Sequence, residues 1–214
     1  MAKHDLIYLF DPLCGWCYGA APALDKVRSH PDIVLTLMPT GLFSGEGARP
    51  LTPDFAAYAW ANDQRIADMT GQVFSQAYRR QILEAANSRF DSGPATAALT
   101  AIRLTEPNRE YEALKHLQTA RYVDGNDNAS RIGVRQILAQ HGFAAAIEML
   151  EAAPDQVADQ MAQTLSAARR LMRQIGAAGV PALALTAANA PPQALDASML
   201  FQNTDRLMEI VNPT

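Results

Sequence analysis

Cys14 and Cys17 are the only two cysteines in 214 residues, and they stand in a C-x-x-C spacing. Thiols three residues apart on a helix lie one turn apart on the same face, so they can close a short disulfide loop or supply half of a metal site. Structural zinc takes four ligands. The chain has no second C-x-x-C and no H-x₃₋₅-H pair, and His4, His30, His116 and His141 stand singly. A redox dithiol is therefore the favoured reading and a metal site the minor one. The two sulfurs should not be equivalent. A strand-forming run ends just before Cys14 and a helical pattern opens at about Trp16, which puts Cys14 at a helix N-terminus. Unpaired N–H groups and the helix dipole favour a thiolate there. Cys14 is the expected nucleophile and Cys17 the expected resolving thiol.

These sulfurs need a frame. Asp5–Phe10 (DLIYLF) and Ile33–Met38 (IVLTLM) read as strands, with a helical stretch from about Trp16 to His30 between them, which is a β-α-β unit with parallel strands. Tyr18, Ala21, Leu24 and Val27 form the helix's apolar stripe, while Asp25, Lys26 and Arg28 fall outside it. From Thr40 to Pro53 glycine and proline accumulate, and about a hundred residues of Ala-rich helical pattern follow. The expected helices are 53–69, 71–86, 94–105, 107–123, 130–141 and 143–152, with a turn at Asp124–Asn128. A longer helix over Asp155–Ile175, a strand over Pro181–Thr186, a hairpin return at Gln193–Asp196 and a helix over Met199–Val211 complete the chain. The ends read as α/β and the middle as all-α.

The segment Asp11-Pro12-Leu13-Cys14-Gly15-Trp16-Cys17-Tyr18-Gly19 resembles the active-site segment of the short cytosolic branch of the DsbA-like thioredoxin-fold family. That branch is related to the FrnE-like and hydroxychromene carboxylate isomerase-like proteins, and the resemblance runs over nearly the whole chain. The stretches FDSGPATAALTAIRL and LQTARYVDGNDNASRIGVRQILAQHG resemble the branch's helical segments, less specifically. The resemblance implies an α/β, thioredoxin-like fold with an inserted all-α helical domain, with 1–45 and 153–214 forming the thioredoxin-like part and 46–152 the insertion. Pro22 matches the helix-kinking proline of such proteins, and physically it frees the Tyr18 carbonyl from its helical partner. Val180-Pro181 matches the cis-proline loop, which folds back against the dithiol and leaves the Val180 backbone to pair with an extended substrate. Trp16, Val180 and Pro181 are thus the implied substrate contacts.

Three features depart from better-known relatives. Tyr8 stands where they carry a buried acid, leaving Asp11 as the nearest candidate for proton-transfer support. Gly15-Trp16 replaces the Pro-His of strongly oxidising relatives, removing an imidazolium that would support a Cys14 thiolate. No secretory leader pattern opens the chain, so a cytosolic protein is expected. Asp91, Ser92, Gln118 and Tyr122 are candidates to face the groove. Capping explains Asp91 and Ser92 equally well, and core packing explains Tyr122, so none is named catalytic.

With 49% hydrophobic and 19% charged residues and a net charge of −4, the chain reads as globular. Scattered Lys and Arg on an acidic protein argue against nucleic acid as a partner. The most continuous apolar stretch, Ile175–Leu185, is broken by Gly176, Gly179 and Pro181 and is shorter than the ~20 residues a membrane helix needs. The leading expectation is a thiol-disulfide oxidoreductase, working in the reductase or isomerase direction on protein or small-molecule thiols and disulfides. It would need no resident cofactor or metal, and glutathione is a candidate co-substrate. One alternative is a glutathione-dependent transferase or isomerase of the kappa-class type, whose members carry serine where Cys14 stands. Another is a peptide-binding, chaperone-like module using Trp16 and the proline loop.

Overall fold

The computed structural model describes residues 4–86, 88–187 and 190–211. The chain opens with β1 (His4–Phe10), α1 (Gly15–Gly19), α2 (Ala21–Ser29) and β2 (Ile33–Pro39). After a 3-10 turn at Gly45–Gly47 come β3 (Arg49–Pro50), α3 (Pro53–Thr70), α4 (Gln76–Tyr78), which runs into a π turn at Arg79–Leu83, and β4 (Arg89–Phe90). Then follow α5 (Gly93–Thr105), α6 (Glu110–Tyr122), α7 (Arg131–Gln140), α8 (Ala144–Ala152) and α9 (Pro154–Gln174). The closing elements are β5 (Ala182–Ala187), β6 (Ala190–Leu195), α10 (Met199–Gln202) and α11 (Thr204–Val211).

Four strands form one sheet in the order β2-β1-β5-β6. β1 pairs parallel with β2, setting Tyr8 opposite Leu37, and antiparallel with β5, setting Tyr8 opposite Leu183. A central strand flanked on both sides must be apolar on both faces, and β1 is. Leu6, Tyr8 and Phe10 point to the face covered by Ala23, Leu24 and Val27 of α2. Leu9 points the other way, onto Ala168 and Leu171 of α9. Pro191 and Pro192 cannot donate to a ladder and sit in β6, the edge strand, where that loss is tolerated. In the helical part α5 is central, packing against α6, α7, α8 and α9. Its buried face is built from Ala95, Ala98, Leu99, Ala101 and Ile102, and the alanines allow several helices to approach at once.

The fold is the expected α/β, thioredoxin-like one with a helical insert, and several elements differ in detail. The stretch expected from Trp16 to His30 is two helices meeting at Ala20. Of the helix expected over 71–86, only residues 76–83 are helical. Gly71 ends α3 in the left-handed conformation (φ 73°), its N–H bonding the Ala67 carbonyl, and the chain runs non-helical until Ser75 caps α4. Asn203 interrupts the last helix, and the hairpin return spans Ala190–Leu195 rather than 193–196. The two-residue pair β3 and β4 was not expected, since strands so short carry no periodicity.

Candidate active site

β1 delivers the chain to a tight turn in which the Cys14 amide bonds the Asp11 carbonyl at 3.0 Å. Cys14 then caps α1 from extended backbone (φ −84°, ψ 119°), and its Sγ accepts a hydrogen bond from the Cys17 amide at 3.4 Å. The sulfur thus stands in for the usual Ser or Asp cap oxygen, taking one of the free N–H groups of the helix start. On its other side the same Sγ lies 3.7 Å from the Val180 carbonyl oxygen. Val180-Pro181 is a cis bond, as the resemblance implied. Trp16 is half-buried, its ring meeting Phe201 of α10 edge-on at 5.1 Å. Cys17 is turned inward with 1% exposure, and burial, reinforced by the neighbouring Cys14, pushes its thiol well above the usual range. A nearly solvent-free thiol with that shift stays protonated until a base takes its proton.

Beneath the cysteines lies a buried polar layer. The Tyr8 hydroxyl donates to the Cys17 carbonyl at 3.0 Å, so the residue in the place of the family's acid holds the helix rather than the proton. Asp11 has no exposed surface. One carboxylate oxygen accepts from the Leu13 amide at 2.9 Å; the other accepts from the Phe43 amide at 3.0 Å and the Ser92 hydroxyl at 2.7 Å. Those three donors favour its charged form, yet burial outweighs them and raises its proton affinity above the ordinary carboxylate range. Asp11 also acts on Cys17: its backbone amide lowers the thiol and, less strongly, its negative charge raises it. Of the two readings the sequence left open for Ser92, groove or helix cap, the hydroxyl makes no cap bond although Ser92 stands at the N-cap position of α5, and it serves Asp11 instead. Tyr122 donates to the Leu13 carbonyl at 2.8 Å, clamping the turn from α6.

Two partners of the dithiol segment, Gln72 and Asp63, escaped sequence reasoning. Pro22 removes the N–H that would close an α-helical bond to the Tyr18 carbonyl, and the Gln72 side-chain amide donates to that carbonyl at 3.0 Å. Asp63 of α3 is 5% exposed and packs against Gly15, so that a Cβ there would collide with its Oδ1. Its Oδ2 accepts from the Tyr78 hydroxyl at 2.9 Å, and burial pushes its carboxyl up to about 7 against the opposing effects of Tyr78 and Arg121. Arg121 is fully buried, donating to Asn128 at 3.2 Å and lying over the rings of Phe90 and Tyr78 at 5.3 and 5.5 Å. The available signal was an acid on an apolar stripe: Asp63 lies seven residues after buried Ala56 and three before buried Ile66. A cleft of about 1220 Å³ opens elsewhere, between the Thr40–Gly47 loop, α5, α8 and α9, and neither cysteine lines it.

Residues 6–207 match the DsbA-like thioredoxin domain. The chain belongs to the DsbA-like thioredoxin-domain family. As a member it is a thiol-disulfide oxidoreductase. Among solved structures of the family it is similar to the cytosolic disulfide reductase DsbM from Pseudomonas aeruginosa. Identity there is 32% over 96% of this chain and 97% of that one, with a TM-score of 0.84. The same Pseudomonas protein with GSH matches at 32% identity over 96% and 98% of the two chains, TM-score 0.79. A Nitrosomonas europaea protein, provisionally named a protein disulfide isomerase, shares the fold at 23% identity over 97% and 98% of the chains, TM-score 0.74. No curated protein matches the sequence. Among the described residues, no helix is long and apolar enough to cross a membrane.

Proposed function

We propose that this family member reduces disulfides in the cytosol through the Cys14–Cys17 pair, with glutathione returning the pair to its dithiol form. The observation that carries the reading is the placement of Cys14 Sγ, held by the Cys17 amide and facing the Val180 carbonyl of the cis-proline loop. A sulfur so placed can meet an extended disulfide-bearing segment lying along Val180 and Pro181, with Trp16 beside it. The Cys14 thiolate attacks one substrate sulfur; a Cys14–substrate disulfide forms as the substrate disulfide breaks, and the departing sulfur leaves as a thiol after taking a proton. Cys17 then gives its proton to Asp11 and attacks Cys14, forming the intramolecular disulfide as the mixed disulfide breaks and expelling the second substrate sulfur as a thiolate, which takes a proton from water. Two electrons have passed from the cysteines to the substrate. Two glutathione molecules reverse the change on the enzyme and leave as glutathione disulfide. The similarity to a cytosolic disulfide reductase, one structure of which contains GSH, supports direction, compartment and co-substrate. Two thiols one turn apart favour this dithiol route over a kappa-class transferase reading.

Trapping tests the proposal. Cys17→Ser should accumulate mixed disulfides on Cys14 with substrate proteins and with glutathione, Cys14→Ser should accumulate none, and Cys14 should alkylate far faster than Cys17 in the reduced protein. Equal alkylation of the two thiols, or a Cys17→Ser protein that traps nothing, would overturn the assignment.

A further inference from the structure

We propose that Asp63, carried on the helical insert, is a charge-tuning residue of the dithiol, disfavouring the Cys14 thiolate across Gly15 whenever its own carboxyl is ionised. The proposal rests on the functional reading above in taking Cys14 as the sulfur that ionises in the reduced couple. The geometry is direct. Gly15 follows Cys14 and opens α1, and Asp63 Oδ1 occupies the space where a side chain on residue 15 would begin. Tyr78 engages only Oδ2, so Oδ1 is the carboxyl oxygen presented to the turn.

Among the groups around the two, Asp63 is set to change charge near neutrality. Tyr78 on α4 and Tyr122 on α6 are pushed well above the usual phenol range by burial and stay neutral. The same holds for Tyr8 on β1, and Arg121 on α6 lies over the Tyr78 ring. Val180 offers Cys14 only a carbonyl. On α3 itself Arg65 and Asp68 lie out in solvent. Asp11, in the turn after β1, also has a raised proton affinity, and the thiol it acts on is Cys17. Asp63, by contrast, ionises at about 7. An ionised carboxyl against Gly15 and a thiolate on the residue before it are like charges in a buried turn, and like charges in such a place disfavour each other.

The consequence can be read from the equilibrium between the Cys14–Cys17 pair and glutathione, measured on the full-length protein by thiol counting at pH 5.5 and pH 8.5. At pH 5.5 Asp63 is neutral, and Asp63→Asn should match the wild type within about twofold, since the amide keeps the shape and carries no charge. At pH 8.5 the wild type carries the opposing charge and the variant does not. The reduced form of Asp63→Asn should then be favoured by roughly 3- to 10-fold more than that of the wild type, tenfold being one unit of thiol pKa. Tyr78→Phe retains the carboxyl but removes the hydrogen bond that favours its charge, and should move the onset of the effect to higher pH. It provides the second reading if Asp63→Asn fails to fold. A purely structural Asp63 would give the same ratio of variant to wild type at both pH values, which overturns the proposal. Absence of any glutathione-dependent oxidation in both proteins would overturn the functional reading and this one with it, whereas a normal couple with an unchanged pH response overturns the role of Asp63 alone.

Discussion

At the scale of single residues, burying a carboxyl leaves a mark on stability as well as on reactivity. Asp63 is raised from the ordinary 3.8 to about 7, chiefly by burial. The folded protein therefore holds a proton on this group through a range in which the unfolded chain has already lost it. Stability must fall as pH rises from about 4 through about 7, and the loss is complete above that, at most on the order of 4 kcal/mol for a shift of this size. Asp63→Asn has no such proton to lose. Urea denaturation at pH 5 and pH 8 should show the variant gaining on the wild type by a few kcal/mol between the two, whatever the substitution costs at pH 5. An unchanged difference would mean that Asp63 is ionised across the whole range. The cysteine pair was legible because its spacing and its strand-to-helix context put both sulfurs at one helix start, which is where the fold has them. Asp63 was not, because an acid on an apolar stripe reveals its partners only when Tyr78 and Gly15 arrive from segments 15 and 48 residues away.

Between elements, the contact of α1 with α3 decides which residues can stand in the dithiol turn. Gly15 and Gly19 lie one helical turn apart, and a Cβ at either would press on α3, on Asp63 and Ile66 at Gly15 and on Ile66 at Gly19. Gly15→Ala should cost roughly 1–3 kcal/mol, the usual penalty for overpacking a filled interface, and should lower the melting temperature without removing either thiol. Gln72→Ala removes the donor to the Tyr18 carbonyl and should cost about 1 kcal/mol by the same measurement. Periodic elements were the readable ones: the β-α-β unit, α5, α6, α7 and α9 follow apolar spacings that packing then uses. The breaks were harder to read. Helical pattern runs on through Gly71 into residues 72–75, and only the left-handed backbone at Gly71, with Gln72 committed to α1, shows why the helix stops.

Across the whole molecule, the helical insert holds the redox turn from several directions at once: Asp63 and Gln72 from α3 and the segment after it, Ser92 before α5, and Tyr122 from α6. It frames the candidate dithiol turn, and among the described residues it brings no imidazolium or other cation to Gly15-Trp16. A strongly oxidising couple depends on unusual stabilisation of the reduced thiolate. Here the group against Gly15 is a carboxyl, which opposes a thiolate once ionised, and Trp16 packs on Phe201 instead of charging the site. The deep burial of Cys17 favours its neutral form in the dithiol and likewise gives no thiolate stabilisation. The couple should therefore be only moderately oxidising and should remain largely reduced against a cytosolic glutathione pool, ready to attack substrate disulfides. Equilibration of the pair in defined glutathione buffers at pH 7, with mass-tagged thiols counted after quenching, should give a potential in the roughly −200 to −270 mV range of glutaredoxins and thioredoxin. A value near the approximately −120 mV of DsbA would make the protein a net oxidant and would require a source of thiolate stabilisation other than the residues around this turn.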